Sequence, residues 1–239
     1  MDSLFEYAND WTKSAKHFYD RGDYKWAADF LPLDGTVLEI GCGTGYSSLA
    51  IIEHGNKVIG IDKNIVCIDR AICFLDSKPN LKDRYLFYKT DVFDNYYLQK
   101  IINDFDYDIV VIWNVGTAKE FESEHERHCA ALKSFGYTSE NIDKNYLMSY
   151  NEGMIFLVCQ IAKCKNAIIQ IVERIEHMPS DDEIIFYEEL KNAICYRDIE
   201  YNYRKTNSLS LSGKKLVLGG KEIDSDSVDI YLMSVLIEP

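Results

Sequence analysis

Short runs of consecutive apolar residues alternate along most of the chain with stretches in which apolar residues recur every three or four positions. Runs of the first kind are typical of strands buried on both faces of a parallel sheet, and the second spacing is typical of amphipathic helices. The strands are predicted at residues 37–40, 57–62, 85–89, 106–114 and 166–173. The pattern therefore predicts an α/β fold in which helices connect the strands of a mostly parallel sheet.

The end of the chain departs from this alternation. Residues 197–206 alternate between apolar and polar, which is typical of a strand with one exposed face, and a final strand is predicted at 229–237. The polar segment 207–227 lies between them, and its Gly219-Gly220 pair is suited to a small hairpin. Two long strands therefore follow one another here without a helix between them.

Several helix boundaries are marked by capping residues. Asn64 precedes a helix with one apolar face, which ends before Pro79. Residues 180–183 form a capping box ahead of a helix that continues to Ile194. A longer helix is predicted at about residues 144–163.

The segment from Glu39 to Gly45 reads Glu-Ile-Gly-Cys-Gly-Thr-Gly and lies between the first predicted strand and the following helix. Glycines let the backbone turn tightly and approach a ligand closely, and the helix start offers unpaired N–H groups to an anion. Together these features indicate a nucleotide-type site. The dinucleotide fingerprint G-x-G-x-x-G does not fit, because Tyr46 stands where its third glycine would be.

The second predicted strand ends in Asp62. An acid at this point of an open α/β sheet can accept hydrogen bonds from both hydroxyls of a ribose. Asp62 therefore supports an adenosyl ligand, although it does not by itself distinguish a nicotinamide dinucleotide from other adenosyl cofactors.

The motif E-x-G-x-G-x-G, from Glu39 to Gly45, resembles the first motif of the class I S-adenosylmethionine-dependent methyltransferases. The resemblance covers most of the chain from Asp34 onward. It implies a Rossmann-like, seven-stranded, mostly parallel sheet with an antiparallel last strand and helices on both faces, in a single domain spanning residues 1–239. It also implies S-adenosyl-L-methionine as the cofactor.

The resemblance assigns a part of the cofactor to each matching position. Glu39 would take the ammonium group, directly or through water, and the backbone of the glycine loop would pass close to the amino-acid part. Asp91 would accept a hydrogen bond from the adenine amino group, with the N–H of Val92 at the ring. The implied cofactor-binding residues are Glu39, Gly41, Cys42, Gly43, Gly45, Asp62, Lys63, Asp91, Val92 and Asn114.

Three segments lie outside the resemblance: the N-terminus, residues 117–166 and the loop 207–227. N-terminal helices in the resembled family often fold over the cofactor, which implies that the aromatic-rich residues 1–31 form a helical lid, and residues 117–166 are predicted to form a helical insertion that faces the substrate. His125 and His128 lie one helical turn apart in this insertion, and either could serve as a general base. The acids around them favour a solvated, charged helix face instead, so no catalytic base is assigned.

The amino-acid composition limits the kinds of binding partner to be expected. The net charge of −13 disfavours a nucleic-acid partner, which would need a basic patch, and so favours a small-molecule acceptor. The 7 cysteines include no C-x-x-C pair, which is consistent with reduced thiols in a cytoplasmic protein and gives no support for a metal site. No leader and no membrane-spanning run is evident, and the oligomeric state is not indicated.

Two alternatives stay open. A non-catalytic, cofactor-binding regulatory domain of the same fold would carry the same loop and the same acids. An NAD-dependent oxidoreductase would need the third glycine that Tyr46 replaces. The motif Asn114-Val115-Gly116 also lacks the prolines of amino-methylating DNA and protein enzymes, so the acceptor and its reacting atom are not determined by the sequence.

Overall fold

The structure of the protein is a computed structural model. The structure describes residues 2–115, 146–175, 177–207, 216–218, 221–223 and 229–239. The helices in this part of the chain are α1 (Asp2–Asp20), α2 (Asp23–Ala28), α3 (Tyr46–His54), α4 (Ile65–Asp76), α5 (Asn95–Asp104), α6 (Tyr146–Lys165) and α7 (Asp181–Ile194). The strands are β1 (Thr36–Ile40), β2 (Lys57–Asp62), β3 (Tyr85–Lys89), β4 (Ile109–Trp113), β5 (Ile168–Ile175), β6 (Asp198–Asn207), β7 (Leu216–Leu218), β8 (Lys221–Ile223) and β9 (Asp229–Glu238).

Seven of these strands form one twisted sheet in the order β3-β2-β1-β4-β5-β9-β6. β1 to β5 are parallel, whereas β9 lies antiparallel between β5 and β6. This topology confirms the predicted fold class, including the antiparallel last strand. β7 and β8 form a separate antiparallel pair on either side of residues 219–220, as expected for a hairpin there.

The sheet is buried on both faces by helices. One core cluster packs side chains of α5, α6 and α7 against the sheet, and a second packs α1, α2 and α3 against the opposite face. Gln170 lies in the middle of β5 with no exposed surface, and its polar atoms are all engaged. It accepts from Trp113 Nε1 at 2.8 Å and donates to Ala27 O at 2.8 Å and to Ser234 Oγ at 2.9 Å, which offsets the cost of burying an amide.

Local signals place most helix ends correctly. Asn64 caps α4 by accepting from the Val66 N–H at 2.9 Å, as predicted. The hydrophobic pattern does not predict α5, which begins after Asp94 and is capped by the side chain of that residue. The reason is that the polar residues Asp91 and Asp94 before α5 also fit a simple turn.

Helices α1 and α2 are joined to the far edge of the sheet by a buried cluster. Asp23 is 2% exposed, and its carboxylate lies 3.6 Å from Arg21 Nε and 3.4 Å from Arg204 Nε. Thr206 Oγ1 donates to Asp23 at 3.2 Å, while Arg204 donates to the backbone oxygens of Arg21 and Gly22. We call Arg21, Asp23, Arg204 and Thr206 the Asp23 cluster; it ties the turn between α1 and α2 to β6.

Candidate functional site

The loop between β1 and α3 owes its shape to three glycines. Gly41, Gly43 and Gly45 have φ values of 77°, 52° and 86°, in the left-handed region that side chains disfavour. The N–H groups of Gly41 and Cys42 both donate to Ile61 O, at 2.8 and 3.1 Å. The loop therefore folds back onto the end of β2.

Each of these glycines also leaves room for a close neighbour. A Cβ on Gly41 would lie 2.8 Å from Val115 Cγ2, and a Cβ on Gly45 would lie 3.1 Å from the Cα of Ala71 in α4. A Cβ on Gly43 would lie 2.1 Å from Trp11 Nε1, so the indole of α1 rests directly on the loop. The glycine spacing thus serves packing as well as backbone conformation.

Asp62 ends β2 and holds the loop in place. One carboxylate oxygen accepts from the Gly43 N–H at 3.0 Å and the other accepts from the Asn64 N–H at 2.8 Å. Burial raises the pKa of Asp62, while these N–H groups and nearby Lys63 favour the charged form. A carboxylate oxygen can accept more than one hydrogen bond, so both oxygens keep capacity for ligand hydroxyls.

Glu39 lies behind the loop, near the end of β1. Its side chain is 1% exposed, and Ser48 Oγ in the first turn of α3 donates to it at 2.5 Å. Burial raises the pKa of Glu39 to about 7, although hydrogen bonds from Ser47 and Ser48 oppose the shift. A carboxyl group in this state readily ionises when a cation is placed beside it.

We expect Glu39→Gln to stabilise the ligand-free protein by about 2–3 kcal/mol at about pH 8 and to leave its stability unchanged near pH 4. Below pH 4.5 the carboxyl group is protonated in the folded and unfolded chains alike. Between pH 4.5 and about 7 the unfolded chain ionises first, so the wild-type protein loses stability that the glutamine variant keeps.

Urea denaturation of both proteins across this pH range measures the difference. Glu200→Gln, at an exposed position of β6, is the matched control for exchanging a glutamate for a glutamine. A Glu39→Gln effect of equal size at both ends of the range would contradict the assignment of a raised pKa to Glu39.

The carboxyl ends of β3 and β4 lie at the same edge of the sheet as those of β1 and β2. Thr90 N donates to Asp62 O at 3.0 Å, which places the next residue, Asp91, beside the end of β2. Asp91 accepts from the Phe93 N–H at 2.9 Å, and Val92 is 8% exposed and packs in the core. The Asp91 side chain thereby shapes the turn that follows β3, and its carboxylate, like that of Asp62, can accept further hydrogen bonds.

Two buried polar atoms near the loop have no hydrogen-bond partner among the described residues. They are Thr44 Oγ1, within the glycine loop, and Asn114 Oδ1, directly after β4. Asn114 has a φ of 51°, and its N–H donates to Val172 O at 2.8 Å, so its backbone conformation is held by β5. Buried acceptors without partners are costly, and a ligand with N–H or O–H groups would satisfy them.

The structure thus brings the predicted residues together at one edge of the sheet. The four strand ends at this edge carry Glu39, Gly41, Cys42, Gly43, Gly45, Asp62, Lys63, Asp91, Val92 and Asn114. Cys42 is 2% exposed, and burial raises the pKa of its thiol, so it contributes backbone rather than a nucleophile. His125 and His128 lie outside the described residues, and no metal-binding group of side chains occurs within the described ranges.

Trp11 is a residue that sequence reasoning did not single out. The helix that carries it is fixed to α4, because Arg70 donates to Thr12 Oγ1 at 3.0 Å and to Asn9 Oδ1 at 2.6 Å. Asn64 Nδ2 also donates to Leu4 O at 3.2 Å. The sequence shows an aromatic residue on a helical face, but only the fold brings it to Gly43.

This architecture was compared with known proteins. No family model matches the chain. The structure of a TehB-like SAM-dependent methyltransferase from Corynebacterium glutamicum superimposes with a TM-score of 0.50 and 13% identity over 98% of each chain. The chain has the Rossmann-like fold of SAM-dependent methyltransferases. The structure of TYW2 from M. jannaschii, described in complex with AdoMet, gives a TM-score of 0.50 and 14% identity over 92% of this chain and 76% of that one.

One curated relative matches a short stretch. The Cypemycin N-terminal methyltransferase of Streptomyces sp is 47% identical over 45 residues. The match covers 18% of this chain and 18% of that relative, so this chain aligns with less than a fifth of its length. None of the helices within the described ranges is both long enough and apolar enough to cross a membrane.

Proposed function

We propose that this protein is an S-adenosylmethionine-dependent methyltransferase that acts on a small-molecule acceptor. The observation that carries the proposal is the direct hydrogen bond between the Gly43 N–H and Asp62. It joins the glycine loop to the acid that a nucleoside would need, at the carboxyl edge where open α/β sheets bind ligands. The methyltransferase fold and the short match to a curated methyltransferase support the same activity.

The residues at this edge fit the cofactor. Asp62 and Lys63 would hold the ribose hydroxyls, and the loop from Gly41 to Gly45 would pass along the amino-acid part. The buried acceptors at Thr44 and Asn114 offer partners for its N–H groups. When bound, the cofactor supplies a methyl group on a positively charged sulfur, and the protein's part is to align the acceptor with it and exclude water.

The net charge of the protein supports a small molecule as the acceptor of the methyl group. A net charge of −13 opposes the approach of a phosphate backbone, whereas a small neutral or cationic acceptor meets no such barrier. A regulatory domain without catalytic activity would bind the cofactor at the same residues. Methyl transfer to an acceptor therefore distinguishes the two functions, whereas cofactor binding alone does not.

Calorimetric titration with S-adenosylhomocysteine tests the cofactor, with NADH as the control. We expect a dissociation constant of about micromolar order for S-adenosylhomocysteine and no measurable heat for NADH. The reason is that Tyr46 begins α3 where a dinucleotide site needs its third glycine. Binding of NADH alone, or of neither ligand to folded protein free of bound cofactor, would contradict the proposed function.

A further inference from the structure

A small depression in the protein surface lies beside the candidate cofactor site. The β4–β5 crevice opens at the carboxyl ends of these two strands and is lined by Val115, Met154, Ile155 and Glu173, with parts of both strands beneath them. Val115 is also the residue that packs on Gly41 of the glycine loop. The crevice and the loop therefore share the side chain of Val115, and a small polar group of an acceptor placed in the crevice would adjoin a cofactor held by the loop.

Glu173 is the one charged side chain among the described residues that line the crevice. It follows Val172, which pairs with Trp113 across the β4–β5 ladder and accepts the N–H of Asn114. Glu173 thus lies next in register to Asn114, at the edge that carries the cofactor-site residues.

Among the described residues, one oxygen of Glu173 forms a hydrogen bond. The Tyr187 hydroxyl, from α7, donates to Glu173 Oε2. Glu173 Oε1 has no hydrogen-bond partner within the described ranges. The carboxylate is therefore fixed in orientation by Tyr187 while one oxygen remains available to a molecule in the crevice.

The described residues that neighbour Glu173 across β9 and on α7 are aromatic or aliphatic. Across β9, the register places Met233 and Tyr203 on the same face of the sheet as Glu173. Tyr187 packs edge-on against Tyr201, with 6.4 Å between ring centroids. Removal from water raises the pKa of the Glu173 carboxyl, and the hydrogen bond from Tyr187 opposes that shift. A carboxylate among aromatic and aliphatic side chains is a site for an organic cation or for an amine that shares its proton.

We propose, resting on the methyltransferase function above, that Glu173 binds the amine of the acceptor in the β4–β5 crevice and takes up its proton, so that the acceptor is a small amine. An acidic acceptor would be repelled by the carboxylate. An alcohol could donate a hydrogen bond to it but would bring no positive charge to pair with the carboxylate, whereas an ammonium group brings both. The net charge of −13 also draws a cationic acceptor toward the protein.

The chemistry balances with the cofactor as the methyl donor. The acceptor amine, bound as its ammonium form, loses a proton to Glu173, which exposes the nitrogen lone pair. The lone pair forms the new nitrogen–carbon bond while the bond between the methyl carbon and sulfur breaks. Sulfur keeps that electron pair and becomes a neutral thioether, and the nitrogen carries the positive charge. Glu173 then returns its proton to solvent when the product leaves.

The experiment has a binding arm and an activity arm, both with the full chain. In the binding arm, a set of small primary and secondary amines is titrated into the complex with S-adenosylhomocysteine, beside the N-acetyl derivative of each. In the activity arm, transfer of a labelled methyl group from S-adenosylmethionine to the same pairs is measured. We expect binding and transfer for free amines and neither for their acetylated counterparts.

Variants of Glu173 separate an acceptor-binding role from a structural one. Glu173→Gln has the same size and still accepts from Tyr187, so a purely structural carboxylate would be replaced well by glutamine and poorly by aspartate. The proposal requires the opposite order, with kcat/KM for the amine lowered at least about tenfold in Glu173→Gln and partly retained in Glu173→Asp. Affinity for S-adenosylhomocysteine should be unchanged in both variants, which also shows that they fold. Glu200→Gln, on an exposed part of β6, controls for the change in net charge.

Three outcomes would overturn the inference. The first is a wild-type protein that binds S-adenosylhomocysteine but neither binds nor methylates any amine of the set, which leaves the cofactor function standing. The second is Glu173→Gln activity equal to wild type on a methylated amine. The third is the absence of S-adenosylhomocysteine binding itself, which removes the proposed function and the inference that rests on it.

Discussion

Asp62→Ala is expected to weaken binding of S-adenosylhomocysteine by at least about 100-fold, because it removes two charge-assisted hydrogen bonds worth about 1.5–3 kcal/mol each. The same carboxylate accepts from the N–H groups of Gly43 and Asn64 in the ligand-free protein. The variant therefore loses the partner of the ribose and the contact that holds the glycine loop against β2. Calorimetric titration of the wild-type and variant proteins measures the loss.

Asp76→Ala is the matched control for Asp62→Ala. Asp76 is an exposed acid at the other end of α4, where it accepts from the Tyr85 hydroxyl at 2.5 Å. Its removal changes the net charge equally but leaves the loop untouched, so affinity should stay at the wild-type value. Affinity of Asp62→Ala within a few fold of wild type would show that the nucleoside binds elsewhere.

The second large effect concerns stability. Asp23→Ala is expected to lower the free energy of unfolding by about 3–5 kcal/mol, the usual cost of removing one partner from a buried ion pair. The side chain of Asp23 is 1% exposed and lies between Arg21 and Arg204, whose guanidinium groups would lose the carboxylate that now separates them. The Asp23 cluster joins α1 and α2 to β6, so the substitution removes a contact between parts of the chain that are distant in sequence.

Urea denaturation of Asp23→Ala checks this value. Asp20→Ala is the control, since Asp20 forms an exposed pair with Lys16 one helical turn away and should cost less than about 1 kcal/mol. Equal losses in the two variants would mean that the Asp23 cluster adds little to stability. The denaturation midpoint should fall in Asp23→Ala with an unchanged slope, as for a change in stability alone.

Much of the fold could be predicted because its signals are local. A run of apolar residues such as 109–113 predicts a strand covered on both faces, and β4 is buried along its whole length. The capping residue Asn64 marks the start of α4 through the hydrogen-bonding ability of its own side chain. α5 escaped prediction because its signals are equally compatible with a turn.

The candidate site, like the fold, has features that the sequence predicts and features that only the structure shows. The glycine loop and Asp62 could be predicted from the sequence, because backbone freedom and the position of a strand end are properties of short segments. The contact between Trp11 and Gly43 could not, since it depends on how α1 packs across the loop. The same holds for the hydrogen bond between Tyr187 and Glu173, which joins two separate elements.

The sequence by itself therefore determined the alternation of strands and helices, the glycine loop after β1 and the acid after β2, since each follows from periodicity or from the chemistry of adjacent residues. Only the tertiary structure decided which side chains cover that loop, that Asp23 is enclosed by Arg21 and Arg204, and that Glu173 faces a crevice beside it. The physical reason is that such contacts join residues far apart in the chain. Their partners are selected by the packing of whole helices and strands, which no local pattern encodes.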